Sequence, residues 1–200
     1  MGLGKQAKTL NKNQVDLILA MIQQTEYPER NTLIVLLSVK AGLRAKEIAG
    51  LTWGMLISPD SSLAEQISLT NSASKGKSGR LIPINRDLRD CLQRHLMMLS
   101  RKIRDDGIHD LHVVRTQRSE STSAQVIVNM LNGWYQKAGL VGCSSHSGRR
   151  TFITNAAKKI SSVGGSLRDV QMLAGHSSLQ TTQRYIDGDS DARRKVVNLV

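Results

Sequence analysis

The chain contains His146-Ser-Gly-Arg149 and, further on, Gly175-His176-Ser-Ser-Leu-Gln-Thr-Thr-Gln-Arg-Tyr185, and its fold is inferred from these two motifs. Arg149 follows His146 by one helical turn, so both side chains can share one face of a helix. Tyr185 ends the short segment that His176 begins. An arginine fork binds phosphate oxygens, an imidazole exchanges protons near neutral pH, and a phenol can act as a nucleophile. Phosphoryl transfer to a tyrosine would need these residue types.

At these residues the sequence resembles the tyrosine recombinase (phage integrase) family. His-x-x-Arg at His146 and Arg149 is weak evidence alone, whereas Gly-His-Ser-Ser-x-x-Thr-Thr-x-x-Tyr, from Gly175 to Tyr185, is long and specific. The resemblance covers roughly residues 9–188. It implies the catalytic-domain fold of that family, which is mainly α with a small antiparallel β-sheet (α+β).

Charge and composition indicate a DNA partner. Lys and Arg number 28 against 16 Asp and Glu, a net charge of +12, which favours nucleic acid first and an acidic membrane surface second. A solvated basic surface would give the same count. Aromatic residues make up 3% of the chain, so duplex backbone contact fits better than base stacking on single strands.

The sequence also bears on location. It has no apolar run of about eighteen residues and no apolar signal core at its start, so we expect no membrane span and a cytoplasmic protein. Cys91 and Cys143 lack metal-ligand spacing. One disulfide between them stays open, although two reduced thiols fit a cytoplasmic chain better.

A second motif, Gly42-Leu-Arg44-Ala-Lys-Glu47-Ile, lies upstream. Gly42 is expected to end a helix that Pro28 opens, and Arg44 to begin a short third helix. The piece also resembles the turn of a helix-turn-helix DNA reader. In the recombinase family this pattern carries the first catalytic arginine, which implies that role for Arg44. The resemblance implies that Glu47 orients the site, while simple pairing with a neighbouring cation is the alternative.

Residues 63–84 are typical of a hairpin with a long basic tip that contains Lys75-Gly-Lys77-Ser-Gly-Arg80. In the family such a hairpin carries the catalytic lysine in Lys-x-x-x-x-Arg-x-x-Pro. Counting back from the proline implies Lys75, with Lys77 as the alternative. A flexible basic loop that grips phosphate without chemistry would look similar. We assign Lys77 and Arg80 to DNA binding.

Other segments predict amphipathic helices and no metal site. Helices are expected after a capping box at Asn11, and over Pro28–Lys40, Arg86–Arg104, His146–Lys159 and Leu167–Leu173. Another helix has Val126, Met130, Leu131 and Trp134 on its apolar face and ends near Gly139. A short last helix follows a cap at Ser177 or Ser178 and carries Tyr185. Val170, Met172 and Leu173 are expected to supply apolar contacts. His109 and His112 have no third ligand nearby, so we predict no metal there.

The resemblance implies strand exchange on double-stranded DNA through a covalent intermediate. Tyr185 would attack the scissile phosphate, become linked to the 3′ phosphate and release a 5′ hydroxyl. Arg44 and Arg149 would clamp the non-bridging oxygens, where preorganised donors stabilise the transition state most. The phosphotyrosine conserves bond energy, so ligation needs no ATP. Cations of the protein would neutralise the phosphate charge, so no metal or other cofactor is expected.

The remaining side chains would move protons or hold the phosphate. His146 is placed to take the phenol proton, because a phenol with a pKa near 10 is a poor nucleophile until it is deprotonated. Lys75 would protonate the 5′ oxygen, and His176 would hydrogen-bond a phosphate oxygen. Arg150 is an additional cation that we assign to DNA contact or to support of the second arginine.

Three functions compete. A site-specific recombinase or integrase, assembled as a homo-oligomer (a tetramer) on DNA, fits all the motifs. A type IB topoisomerase shares the chemistry, but the Gly-His-Ser-Ser-x-x-Thr-Thr motif argues against it. A non-catalytic DNA-binding regulator would fit the basic charge and residues 41–53, but it has no reason to keep all the polar positions.

The segments outside the catalytic domain are short. We expect residues 1–8 to be flexible and residues 189–200 to form a tail that packs on a neighbouring protomer or back on its own core. Relatives usually carry a DNA-clamping domain upstream. The chain is therefore either an excised catalytic domain or a small stand-alone recombinase, similar to the fimbrial-switch invertases, and we favour the second.

Overall fold

Helices dominate the computed structural model, which describes residues 7–74, 78–100, 107–117, 119–187 and 197–198. Within these residues the strands form one two-stranded antiparallel sheet. This confirms the predicted fold class, mainly α with a small β-sheet. The chain divides into two compact units, Met1–Phe152 and Ile153–Val200, and each is described by itself.

The first unit holds most of the secondary structure. Its elements are α1 (Lys12–Ile22), α2 (Pro28–Lys40), α3 (Ala45–Ala49), β1 (Gln66–Leu69), β2 (Arg80–Pro83), α4 (Arg86–Ser100), α5 (Ala124–Lys137) and the start of α6 (Ser147–Lys159). Capping explains where α1 begins. The Asn11 side chain accepts from the Gln14 N–H and the Gln14 side chain accepts from the Asn11 N–H, both at 2.9 Å, which confirms the predicted capping box.

Helix α2 is the centre of the first unit. Every residue from Leu33 to Val39 is buried, as expected for a helix that is apolar nearly all round. Helices α1, α3 and α4 pack against it. The chain before α1 is also tied down, because the Leu10 N–H donates to Thr151 Oγ1 at 2.7 Å and the Lys8 N–H to the Gly142 carbonyl at 3.2 Å.

The predicted hairpin is confirmed at its base. Ile67 pairs with Ile82, and both are fully buried, whereas Leu81 is 55% exposed. Because side chains alternate across a strand, Arg80 lies on the same inward face as Ile82. The tip residues Lys75–Lys77 lie outside the described residues, so their assignments stay predictions.

The second unit contains the rest of α6, then α7 (Leu167–Ala174) and α8 (Leu179–Asp187). Asp169 completes a capping box with Ser166 at the start of α7, and Gly175 ends that helix with φ +61°. Ser178 Oγ accepts from the Gln180 N–H at 3.2 Å, so Ser178 is the one of the two predicted serines that caps α8.

Two details of the predicted apolar faces are wrong. Met172 is 64% exposed, because Val170 and Ala174, four residues apart, define the buried face of α7. Val126 is 39% exposed, because the buried face of α5 begins at Ile127.

Other expectations fall partly outside the described residues. Helix α4 is described to Ser100, so its predicted extension to Arg104 lies beyond that part of the chain. Most of residues 1–8 and 189–200 is not described either. Cys91 and Cys143 are both free, in agreement with the interpretation of two reduced thiols. None of the described helices combines the length and apolar character that a membrane crossing requires.

Replacing Gly42 by alanine is expected to lower the free energy of unfolding more than the same change at Gly139. Their φ angles, +64° and +68°, are both left-handed, so each alanine meets a backbone penalty of about 1 kcal/mol. At Gly42 a new Cβ would also overlap the Phe152 ring, which should add roughly 1–3 kcal/mol. A Cβ built on Gly139 would meet no described atom within 4 Å beyond its chain neighbours. Chemical denaturation measures the free energy of unfolding of both variants. Equal losses would show that the Phe152 ring can move aside without destabilising the fold.

Candidate active site

The side chain of Glu47 gathers two arginines at the start of α3. Its Oε1 accepts from Arg44 Nη1 at 2.7 Å and from Arg80 Nη1 at 3.0 Å. Its Oε2 accepts from the Arg44 backbone N–H at 2.8 Å and from Arg80 Nη2 at 3.0 Å. Glu47 therefore does pair with neighbouring cations, and through that pairing it holds Arg44.

Burial sets the electrostatics of this cluster. The Glu47 side chain is 0% exposed, against 6% for Arg80 and 23% for Arg44. Burial alone would raise the pKa of the Glu47 carboxyl. The hydrogen bonds and charge of Arg80, with those of Arg44, outweigh it and hold the pKa below its ordinary value. One carboxylate facing two guanidiniums leaves a net positive charge, as an anion site requires.

Arg149 is anchored at the same turn as Arg44. Its Nη1 donates to the Gly42 carbonyl at 2.7 Å, two residues before Arg44 in the sequence, and Arg149 is 5% exposed. Helix α6 reaches this turn because Gly148 packs directly on Ser38 of α2, where a Cβ would overlap the serine hydroxyl. The two predicted phosphate-binding arginines thus lie at one turn of the first unit.

His146 immediately precedes α6 and is exposed. Its carbonyl accepts from the Arg150 N–H at 2.9 Å, so it begins the helix as predicted. The loop before it is held by side chains, because Ser147 Oγ accepts from the Ser144 N–H at 3.0 Å and Asn132 Oδ1 from the Ser145 N–H at 2.8 Å. The backbone of His146 is therefore held at the start of α6, three residues before Arg149.

The second unit brings His176 and Tyr185 together. Their rings stack with centroids 5.4 Å apart and an angle of 23° between the planes. His176 Nδ1 lies 2.9 Å from Oγ1 of Thr182, which is fully buried on α8. If the Thr182 hydroxyl donates to Nδ1, the neutral ring carries its proton on Nε2 and can donate it to an anion.

The described residues include most of the predicted site residues. Arg44, Glu47 and Arg149 gather at one turn, and Arg150 is partly exposed on α6. Lys75 and Lys77 lie outside the described residues.

Two contributions were missed from the sequence. Arg80 was assigned to DNA, whereas its terminal nitrogens bind Glu47. The two-residue alternation that puts it on the same face as Ile82 could have revealed that its side chain turns inward. Thr182 was only a motif residue, and its contact with His176 depends on the packing of α8.

The guanidiniums of the first unit and the His176 imidazole of the second are each suited to an anion rather than a cation. Guanidiniums and imidazoles bind phosphate oxygens through charge-assisted hydrogen bonds. In the part of the chain that the structure describes, no three or more His, Cys, Asp or Glu side chains are grouped to hold a metal ion.

Comparison with known proteins identifies the family. The model of the phage integrase family matches residues 8–191. The chain belongs to the phage integrase family. Tyrosine recombinase XerA of Thermococcus kodakarensis is 31% identical over 178 residues, covering 89% of this chain and 57% of that protein. Tyrosine recombinase XerC of Corynebacterium efficiens is 31% identical over 156 residues, or 78% and 46% of the two chains. This phage integrase family member spans about half the length of these relatives.

Solved structures share the fold. A crystal structure of XerA recombinase superposes with a TM-score of 0.74 at 19% identity, covering 100% of this chain and 65% of that one. The Tn1549 transposon integrase, in complex with transposon right end DNA, gives a TM-score of 0.70 at 20% identity, with coverage of 99% and 67%.

Glu47→Gln is expected to lower the free energy of unfolding at pH 7 by roughly 3 kcal/mol, because the buried Arg80 and the partly exposed Arg44 lose their counter-charge. The folded pKa of Glu47 is depressed, so its stabilisation is complete above the ordinary value of 4.5 and is lost as the pH falls through the folded value. The stability gap between wild type and variant should therefore narrow below pH 4.5.

Chemical denaturation across this pH range measures the gap. Glu65→Gln is the control, since that carboxylate is 92% exposed in its pair with Arg89 and should change stability little. A gap that stays constant with pH would show that Glu47 is not titrating in its pairs.

Thr182→Val is expected to release the His176 imidazole from its fixed orientation, because valine keeps the volume of threonine and removes the hydroxyl. The nitrogen chemical shifts of the His176 ring should change from the values of one dominant tautomer to those of a mixture of the two tautomers. Thr182→Ser should preserve the wild-type shifts, and Thr181→Val, a change at the partly exposed neighbour, should leave them unaltered. Unchanged shifts in Thr182→Val would mean that other contacts orient the ring.

Proposed function

We propose that this chain acts as a site-specific DNA recombinase or integrase that cuts and rejoins duplex DNA through a covalent 3′-phosphotyrosine intermediate. The observation that carries the proposal is the pair of arginines at one turn, Arg44 held by Glu47 and Arg149 held by Gly42. The relatives' names, tyrosine recombinases XerA and XerC, favour recombination over topoisomerase activity.

The chemistry begins with the phosphate. Arg44 and Arg149 bind the non-bridging oxygens and neutralise the charge that builds up in the transition state, and His176 donates a hydrogen bond to a phosphate oxygen. Buried anchors matter here because donors already in place need no reorganisation during the reaction. Glu47 and Gly42 supply those anchors.

Tyr185 then forms its bond to phosphorus as the bond to the 5′ oxygen breaks. His146 takes the phenol proton, and Lys75 gives a proton to the departing 5′ oxygen. Ligation runs the same steps in reverse, with a 5′ hydroxyl attacking the phosphotyrosine and the phenol leaving. The number of phosphoester bonds is unchanged, so no ATP is required. Arg44 and Arg149 supply the positive charge that a metal ion would otherwise provide.

Partners and assembly follow from the same proposal. The substrate is double-stranded DNA, which the net charge of +12 favours, and Lys77 and Arg150 add backbone contacts. The chain assembles on DNA as a homo-oligomer, a tetramer, since strand exchange needs a nucleophile for each of four strands. It works in the cytoplasm, with residues 9–188 as the catalytic domain.

Tyr185→Phe should abolish covalent attachment to DNA. Nicked suicide duplexes drawn from the DNA that flanks the gene are incubated with each protein, and denaturing gels detect covalent adducts. Wild type should form an adduct on duplexes that carry the target site. Tyr27→Phe, a change at another tyrosine in the chain, should retain it.

Two outcomes would contradict the proposal. An adduct that persists in Tyr185→Phe would identify another nucleophile. Specific duplex binding by wild type without any adduct would favour a DNA-binding regulator.

A further inference from the structure

Arg80 occupies an unusual place for an arginine in a basic hairpin. It begins β2 and turns inward, with a side chain 6% exposed. Both of its terminal nitrogens bind Glu47, one to each carboxylate oxygen at 3.0 Å. Such a bidentate fork fixes the plane of the carboxylate as well as its position.

We propose that Arg80 is a positioning residue for Arg44 and acts through Glu47. The inference rests on the proposed function and names a device that sets the geometry of its first arginine. Arg80 is the buried end of a three-residue relay, Glu47 is its centre, and Arg44 is its most exposed end.

Arg44 and Arg80 share the Glu47 carboxylate, which explains why Arg80 matters for the position of Arg44. Arg44 contributes one side-chain hydrogen bond to Oε1 of Glu47, and a guanidinium has five N–H donors, so most of its fork can face an anion. Without Arg80, the buried carboxylate would lose one donor at each oxygen. Arg44 would then be drawn inward to satisfy it, since a buried charge left without partners is costly.

The ion pair between Arg80 and Glu47 also attaches the hairpin to α3. Arg80 Nη1 also donates to the Ser78 carbonyl at 3.2 Å, and Gly79 N–H donates to Asn71 Oδ1 at 2.9 Å, which joins the two sides of the hairpin base. Helix α3 and this base are thus tied together through Glu47. Lys75 lies in the sequence between Asn71 and Arg80, so one ion pair connects the segment carrying the predicted general acid to the first phosphate-binding arginine.

Positioning and direct DNA contact predict different measurements. A positioning residue changes the rate of the chemical step on bound DNA, because a small displacement of a reacting group can cost on the order of 10²-fold in rate. A phosphate contact instead changes affinity. Its loss lowers the slope of log K against log salt by about 1.

The experiment compares Arg80→Met, Arg80→Lys, Glu47→Gln and the double variant Arg80→Met/Glu47→Gln with wild type. Adduct formation is followed in a single turnover on saturating suicide duplex, and duplex affinity is measured over a range of salt. Arg89→Met is the matched control, because it also removes an arginine from an ion pair with a glutamate, here at 3.0 Å with the exposed Glu65. Thermal unfolding of each variant reports folding.

Arg80→Met should slow adduct formation on the order of 10²-fold with an unchanged salt slope, while Arg89→Met reacts at the wild-type rate. The double variant should be no slower than the slower single variant, because both changes interrupt one relay. Arg80→Lys keeps the charge and loses the fork, so it should also be slow. It decides the question even if Arg80→Met fails to fold.

Three results would overturn the inference. A wild-type rate in Arg80→Lys or Arg80→Met would show that the fork is not needed. Multiplying rate losses in the double variant would show that Arg80 acts independently of Glu47. A lower salt slope with an unchanged saturated rate would assign Arg80 to DNA. Absence of adduct in wild type overturns the proposed function as well, whereas an active wild type with an equally active Arg80→Met overturns this inference alone.

Discussion

A carboxylate that is removed from water must be compensated by fixed partners, and Glu47 is the buried carboxylate on which this site depends. Its four hydrogen bonds come from two arginines that lie far apart in the sequence, Arg44 at the start of α3 and Arg80 at the start of β2. The carboxylate is therefore a junction between a helix and a strand. An ion pair at this degree of burial contributes less to net stability than to orientation, since most of its Coulombic gain offsets desolvation.

The backbone at Gly42 supplies the second constraint. The left-handed conformation there ends α2, and the missing side chain leaves room for the Phe152 ring. The carbonyl of the same residue accepts the hydrogen bond that anchors Arg149. A carbonyl in a turn packed against an aromatic ring cannot rotate away, so the orientation of Arg149 follows from the packing of α2 on α6. The positions of Arg44 and Arg149 are thus set by buried structure and not by solvent-exposed loops.

Sequence reasoning recovered what short-range spacing encodes and missed what long-range pairing decides. The motif from Gly175 to Tyr185 is contained in one turn and one helix, so its spacing was enough to predict one short segment that begins at the histidine and ends at the tyrosine; the structure shows that their rings stack. The hairpin was likewise predictable, because every second residue of each strand faces inward, and Ile67 and Ile82 mark that face. Arg80 was read by its charge, as a DNA contact, although the same alternation turns it inward. Its partner, Glu47, is 33 residues away in the sequence, and no local sequence pattern identifies a partner at that distance.

The two units meet different physical demands. In the first, the arginines are held by a core that includes the buried length of α2. In the second, the described residues bury few large apolar side chains, among them Ile153 and Val170, while Val163 and Met172 are 78% and 64% exposed. Small units with little apolar burial open at low free-energy cost, so the order of Tyr185 depends strongly on local contacts such as its stacking on His176. Under the proposed function this division is useful, because phosphate-binding cations act best when fixed in advance, whereas a nucleophile that must attack and later leave benefits from a segment that can be ordered and released.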